Sequence, residues 1–374
     1  MDRRTFLSGA TIATAAAATA CSQEGTNGES EVASPAVNRR RTRRLRMVTT
    51  WPANFPGLGT AADTTARLIG EMSGGELEVQ VFGAGEIVGA FEVFDAVSNG
   101  VADMYHAAEY YWQGRSPAYN FFCAVPMGMT AMEIMAWVEF GGGQELWDEL
   151  SAQFNIKPFQ AGNSGHQMGG WFKREINTLE DFRGLRVRMP GLGGDVIRAL
   201  GGAAVALSGG EIYQALQSGA IDATEWVGPW NDLAFGFYRE APFYYGPGFH
   251  EPGSSLALGM NLEVWESLPA DQKAIVKAAA HAANNLSIAE FTHQNAIALQ
   301  NLIEEHGVQL RTFSDDIWRE VGRVSEEVVA EAANADALSR RVYNSYVQSR
   351  RRSREWANVS ETPYLQKREL VLGG

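Results

Sequence analysis

Cysteine is nearly absent: Cys21 and Cys123 are the two in 374 residues. A disulfide framework and a cysteine metal cluster are both excluded, since each needs several cysteines at set spacings. Cationic side chains are also in deficit, with 31 Lys and Arg against 44 Asp and Glu and a formal net charge of -13. Phosphate backbones are held by basic surfaces, so nucleic acid is not an expected partner. An acidic protein that captures an anion must do so with a few local cations, and individual arginines become worth following. Beyond the leading segment, no stretch reaches the roughly 18 uninterrupted apolar residues that read as a membrane span. Signatures of catalysis are missing too. There is no Gly-x-Ser-x-Gly elbow, no His-Glu-x-x-His pair and no Walker glycine loop, and Gly191-Leu192-Gly193-Gly194 lacks dinucleotide spacing.

What is present begins with Arg3 and Arg4, which precede Thr5-Phe6-Leu7 and an uncharged Ala/Thr run reaching Cys21. That is the pattern of an export signal over residues 1–20. Paired arginines ahead of Phe-Leu resemble the twin-arginine type, which carries folded proteins across a membrane to the periplasm. Asp2 departs from the usual Ser or Thr. Ala18-Thr19-Ala20 offers a cleavage site, after which Cys21 is either a lipid-anchored first residue or simply the residue following the cut. Residues 21–44 are rich in Ser, Gly, Glu and Asn and end in Arg39-Arg40-Arg41 and Arg43-Arg44. Without apolar periodicity they read as a solvated tether.

The remaining 330 or so residues are enough for two lobes. Leu45 to Trp51 reads as a strand, Gly59 to Met72 as a helix, and Leu77 to Phe82 alternates as a second strand. A short helix from Phe91 to Ser98 leads into Val101-Ala102-Asp103-Met104, and the rhythm predicts an open parallel α/β sheet. It returns with a strand at Leu185 to Met189, a helix from Asp195 to Leu200, and a helix from Glu211 to Ser218 leading into Ala220-Ile221-Asp222-Ala223. Ala96-Val97-Ser98-Asn99-Gly100-Val101-Ala102-Asp103 and Ala215-Leu216-Gln217-Ser218-Gly219-Ala220-Ile221-Asp222 are either equivalent pieces of two similar lobes or a chance match of helix ends. The expected organisation is lobe I at 45–160 with part of 256–300, lobe II at 161–255, and a helical extension over 270–374. That extension exceeds what covering two sheets needs, so it must pack outside them or on a partner chain.

In an open α/β sheet ligands sit beyond the carboxyl ends of strands, and the residues there are the candidates. Arg188 ends one strand, just before Pro190-Gly191, where a planar guanidinium can hold a carboxylate through two parallel hydrogen bonds. Arg186, on the same face, reads as a solvated surface arginine. Glu225-Trp226 follows the matching strand of the repeat. A glutamate beside an anion site is puzzling, because like charges repel in a partly dry pocket, and a bound cation resolves this. Gln167 supplies a carbonyl oxygen, and with Glu225 and a backbone carbonyl it makes an oxygen shell suited to sodium or calcium. The alternatives are an exposed Glu225 and a Gln167 bonded to loop backbone. Trp226, Trp230, Trp112, Tyr110, Tyr111 and Phe249 lie near the same strand ends with polar, Gly and Pro neighbours, a pocket-like setting. Glu251, between His250 and Pro252-Gly253, either accepts a ligand hydroxyl or faces solvent.

Four motifs now stand in order: Gly165-x-Gln167-Met168-Gly169-Gly170-Trp171-Phe172, Gly184-Leu185-Arg186-Val187-Arg188-Met189-Pro190-Gly191, Gly209-Gly210-Glu211-Ile212-Tyr213-Gln214-Ala215-Leu216, and Ala223-Thr224-Glu225-Trp226-Val227-Gly228-Pro229. Over residues 45–345 the chain resembles the DctP-type extracytoplasmic receptors of TRAP transporters, in the branch that takes α-keto acids and 2-hydroxy acids such as lactate. The resemblance implies a two-lobed α/β fold of periplasmic-binding-protein type, with a central cleft and extra C-terminal helices, that delivers its ligand to a membrane permease. It implies that Arg188 clamps the carboxylate, that a cation bridges the ligand to Gln167, Glu225 and the Trp226 backbone, and that Glu251 is a further ligand contact. The aromatic and glycine neighbours usual in that branch are here His250 and Pro252. Swapped C-terminal helices giving a homodimer are also implied. The rival expectations are an exported sugar-cleaving hydrolase using Glu225 and Glu251 as an acid/base pair, and a purely structural protein with the helical tail as its interface.

Overall fold

A computed structural model describes residues 42–373. The export signal, Cys21 and most of the tether lie outside the described residues. Strand β1 (Arg43–Thr49) opens inside the stretch expected as tether. Its ladder with β2 (Leu77–Phe82) already begins at Arg43 and Arg44, where Arg44 Nε meets Glu78 at 3.0 Å across the strands. A cross-strand ion pair thus extends the strand beyond its apolar pattern.

Strands β3 (Met104–Ala107) and β4 (Ile156–Asn163) follow in the first half. Next come β5 (Gly170–Phe172), β6 (Arg186–Arg188), β7 (Ala203–Val205), β8 (Ala223–Thr224) and β9 (Phe243–Tyr245), then β10 (Ser255–Asn261) and β11 (Gln309–Arg311). One sheet has the order β2-β1-β3-β10-β4, the other β11-β9-β5-β8-β6-β7. The expected parallel sheet holds for β2-β1-β3 and for β7-β6-β8. β10 runs antiparallel to β3 and β4, and β5 antiparallel to β8 and β9. Both sheets are therefore mixed, because β5 and β10 enter by crossing from the other sheet rather than through a helix of their own.

The two pieces singled out as a repeat are structurally equivalent. Gly100 and Gly219 both hold φ near +75°, at 76° and 73°, turning the chain out of a helix into a strand. Asp103 N donates to Arg46 O at 3.0 Å, and its carboxylate accepts from Arg46 N at 2.7 Å. Asp222 does the same with Arg186, at 2.7 and 3.1 Å. Position Arg188 of the second sheet then corresponds to Val48 of the first.

Ahead of the C-terminal helices, three segments join the halves. Residues 164–169 link β4 to β5, and 246–254 link β9 to β10. These two run side by side: Ser164 N donates to Ser254 O at 3.0 Å, Gln167 N to Glu251 O at 3.0 Å, and Gly248 N to Gln167 O at 2.9 Å. The third is the 35-residue helix Ala270–Glu304, about 50 Å long at 1.5 Å per residue. It packs on β4 and the helix Leu58–Met72 of the first half, then on the helix Pro229–Phe235 of the second. Val276, Ala280, Ala283, Ser287 and Phe291 form its buried stripe.

The C-terminal extension is not helical throughout: Gly307 (φ 66°) breaks it and β11 joins the edge of the second sheet. The helix Asp315–Ala333 packs on Gly191–Ala199 of the second half, and Ala337–Ala357 packs on helices of the first. Tyr346 anchors the latter by accepting from Met129 N at 2.8 Å. The final helix, Glu361–Leu372, has no buried residue.

Candidate functional site

The ends of β6 and β8 meet the two short crossings at one place. Glu225 N donates to Arg188 O at 2.9 Å, continuing the β6/β8 ladder by one bond and setting Glu225-Trp226 beside the arginine. Arg188 is fully buried. Its Nε donates to Leu207 O at 3.2 Å, Nη1 to Glu225 O at 2.8 Å, and Nη2 reaches the first half at Tyr111 Oη, 3.3 Å away. Nη1 also lies 3.3 Å from Glu225 Oε2, and the guanidinium carbon is 4.9 Å from the Trp226 ring centre. Arg186 is different. It is half exposed and donates to both carboxylate oxygens of Asp222, at 2.8 and 2.6 Å, the surface role expected of it.

The crossings supply Gln167, His250 and Glu251, all buried. Gln167 Nε2 donates to Ser164 Oγ at 2.9 Å, and its Oε1 is buried with no partner. Glu225 Oε1, Glu251 Oε2, the Trp226 indole N–H and both ring nitrogens of His250 are buried without a hydrogen-bond partner as well. Each such group costs about 1 to 3 kcal/mol while it lacks a partner. Glu225, His250 and Glu251 each present a ligating atom within 4.8 Å of the others. His250 Nε2 lies 3.3 Å from Glu225 Oε1 but outside hydrogen-bond geometry, so the two attract as charges without satisfying each other.

Electrostatics follow the same arrangement. Burial, assisted by the Glu225 charge, pushes the Glu251 carboxyl up to about 7. Burial alone would lower the His250 pKa, but Glu225 and Glu251 outweigh it and the net direction is upward. Burial raises Tyr111 to about 12, with Arg188 opposing. Tyr111 therefore stays a neutral phenol.

Tyr110, Tyr111, Gln167 and Trp226 line one small cavity together with Trp51, Leu58, Ser254 and Leu256. Gly191 permits its wall, since a Cβ there would lie 3.1 Å from Asn120 Oδ1 and 3.2 Å from Tyr110 Cγ, at φ 62°. For the same close packing, the helix expected from Asp195 starts at Gly191, even though glycine is a poor helix former. Three expected aromatics do not line this cavity. Trp112 sits in the first core, 5.0 Å from Phe94 and 5.4 Å from Tyr105 between ring centres. Trp230 packs on Phe291, and Phe249 belongs to the second core. Tyr110, Tyr111 and Trp112 share one helical turn, whose successive side chains fan out, so that two reach the cavity and the third enters the core. Trp51 and His250 were not singled out as site residues. Trp51 follows β1 directly and could have been found by the same strand-end rule; its indole N–H donates to His106 Nδ1 at 2.9 Å.

The set can hold a cation. Gln167 Oε1 and the free oxygens of Glu225 and Glu251 are unpartnered acceptors.

The profile of the bacterial extracellular solute-binding proteins, family 7 (DctP), matches residues 47–336. The chain belongs to that family. A monocarboxylate 2-oxoacid-binding periplasmic protein of Nostoc sp. (strain PCC 7120) is 39% identical over 365 residues, covering 97% of this chain and 98% of that protein. Among solved structures, a TRAP periplasmic solute-binding protein of Pseudoalteromonas atlantica T6c with bound sodium and pyruvate is 38% identical at a TM-score of 0.84, covering 87% of this chain and 99% of that one. One from Colwellia psychrerythraea with bound calcium and pyruvate is 37% identical at 0.85, covering 87% and 100%. This DctP receptor is accordingly a two-lobed solute-binding protein and not an enzyme, and the hydrolase alternative finds no support. Among the described residues, no helix is long and apolar enough to cross a membrane.

Proposed function

We propose that this receptor captures a small monocarboxylic acid, an α-keto acid such as pyruvate or a 2-hydroxy acid such as lactate, together with a bridging sodium or calcium ion, for delivery to TRAP permease subunits. The observation that carries the reading is the buried Arg188 facing a set of unpartnered acceptors: a cation site and an anion site share one cleft. Arg188 clamps the carboxylate. Gln167, Glu225 and the Trp226 backbone hold the cation, which neutralises the acids and binds the ligand's own oxygens. Glu251 takes the ligand's second polar group, and Tyr110, Tyr111 and Trp226 enclose its carbon skeleton. The relatives that bind pyruvate with sodium or calcium support this choice.

Delivery fits a chain whose Arg3-Arg4 leader is of twin-arginine type and exports it to the periplasm, with Cys21 either lipidated or the first residue after the cut. The division into lobe I at 45–160 with part of 256–300 and lobe II at 161–255 is supported by the presence of two sheets, the second of which also takes β11. A homodimer through the C-terminal helices is supported by apolar side chains left exposed there, Trp356 at 69% and Leu370 at 74%. Removing residues 359–374 should then shift the sedimentation coefficient from dimer to monomer. The functional test is a fluorescence titration with pyruvate, longer α-keto acids, lactate and mannitol across sodium, calcium and chelator. Saturable quenching by the acids but not mannitol is expected, and no response to any acid would refute the proposal.

A further inference from the structure

We propose that Asn120 and Asn231 are a matched pair of latches that hold the two lobes shut over the bound acid, each gripping a helix entrance of the opposite lobe. The sequence repeats Pro-Gly-Leu-Gly at two places, Pro56-Gly57-Leu58-Gly59 and Pro190-Gly191-Leu192-Gly193. The first leads into the helix Leu58–Met72 after β1, and the second into the helix Gly191–Ala199 after β6, the equivalent strand of the other half. Both inner glycines take a left-handed turn, with φ of 69° at Gly57 and 62° at Gly191. Each also faces a fully buried asparagine of the other half. A Cβ on Gly57 would lie 3.0 Å from Asn231 Nδ2, and one on Gly191 would lie 3.1 Å from Asn120 Oδ1.

The bonds are reciprocal. Asn231 Nδ2 donates to Pro56 O at 3.1 Å, and Asn120 Oδ1 accepts from Leu192 N at 3.3 Å. The Leu192 N–H is one of the free donors at the start of its helix, and Pro190 at the cap has no side-chain acceptor to offer it. Its cap therefore comes from the other lobe. Asn120 is set for this in advance, since its Nδ2 donates to Pro117 O at 3.0 Å and to Gln113 Oε1 at 3.3 Å within its own half. An apolar knob accompanies each bond. Leu192 is buried in the core of the first half, and Phe55 stacks on Phe235 of the second at 4.4 Å between ring centres. Neither asparagine lines the ligand cavity or belongs to the ligating cluster, so both act on the ligand through closure. Neutral hydrogen bonds suit that task, since each shifts the ratio of closed to open by about two- to tenfold and the lobes can still part.

The test compares Asn120→Ala, Asn231→Ala and the double variant with the unaltered mature protein, and it rests on the functional reading above for its ligands. Each single variant should weaken every acid that binds by one common factor of about two- to tenfold, and the double variant by the product of the two. In stopped-flow traces the change should lie in the dissociation rate, with the association rate within about twofold. The dependence of pyruvate affinity on calcium should be as steep as in the unaltered protein. Unchanged dissociation, or a loss that differs between acids or falls on the calcium dependence, overturns the proposal. Hydrogen exchange of the Leu192 amide, followed by NMR, reads the latches without ligand. Asn231→Ala should speed that exchange although the two residues do not touch, and equal exchange overturns the proposal. Should the variants not fold, the unaltered protein decides: slower Leu192 exchange with saturating pyruvate supports the latch, and equal exchange overturns it. Failure of the unaltered protein to bind any acid with any cation defeats the functional reading, and Leu192 exchange in Asn231→Ala then judges the latch alone.

Discussion

Glu109 in the first half and Asp232 in the second are as deeply buried as Glu251 at the cleft, and burial pushes all three carboxyls to about 7. Their surroundings differ. Glu109 accepts from Tyr105 Oη at 2.5 Å and from the Trp147 indole at 2.6 Å. Asp232 accepts from Trp171 at 2.9 Å and Tyr244 at 2.7 Å. At the cleft, Glu225 and Glu251 each keep an oxygen with no donor, beside Gln167 and His250 in the same condition. A carboxyl pKa pushed to about 7 therefore marks three places, and two of them are core networks. Among these buried acids, an unpartnered oxygen distinguishes Glu225 and Glu251 from Glu109 and Asp232.

The largest expected effect falls on the cleft side of this comparison. Arg188→Ala removes at least one charge-assisted hydrogen bond of about 1.5 to 3 kcal/mol and leaves Glu225 unbalanced, so affinity for pyruvate should drop by about 100-fold or more by calorimetry. Unchanged affinity would remove Arg188 from the site. Glu225→Gln comes next: binding should weaken by roughly 10-fold to 100-fold and lose much of its dependence on calcium concentration. A variant that keeps the full dependence would show that Glu225 does not hold the ion.

On the core side, Glu109→Gln and Asp232→Asn should lower thermal stability by about 1 to 3 kcal/mol through broken buried hydrogen bonds while leaving pyruvate affinity within about twofold. If either changes affinity as Glu225→Gln does, the distinction between satisfied and unsatisfied acids fails. The pH response has a definite sign. A carboxyl whose pKa is raised in the folded state contributes stability that is present below its unfolded value, near 4, and is lost as pH rises through 7. The unliganded protein should melt at a lower temperature at pH 8 than at pH 5, and Glu109→Gln should flatten that fall. His106, lowered to about 4 by burial, works oppositely and costs stability as pH falls from about 6.5 towards 4. The smallest effect is spectroscopic. Trp226→Phe should abolish most of the ligand-induced fluorescence change, whereas Trp112→Phe, in the first core, should preserve it.

Much of this was legible in the chain. Alternation located β2 to the residue, and the Gly-Ala-Ile-Asp and Gly-Val-Ala-Asp endings revealed a repeat whose locking bonds, Asp103 to Arg46 and Asp222 to Arg186, the structure displays. That Arg188 and Glu225 stand side by side was legible because they end matching strands. What the sequence could not convey is which acceptors remain without donors, because that depends on non-local packing: Ser164 accepts from Gln167, and Gly193 admits His250. The antiparallel entries of β5 and β10 were hidden for a similar reason. A crossing between sheets has no periodicity of its own. β11 was missed because three residues at a sheet edge, between two long helices, give too short a pattern.

The central claim is that carboxylate and cation occupy one cleft together, one on Arg188 and the other on Gln167, Glu225 and the Trp226 backbone. Calorimetric titration of pyruvate into the chelator-stripped protein, with calcium absent and then present at rising concentration, tests it most directly. The account predicts that affinity for pyruvate climbs with the cation and that affinity for the cation climbs equally with pyruvate, as linkage requires. Pyruvate binding that is the same with and without any cation would contradict it.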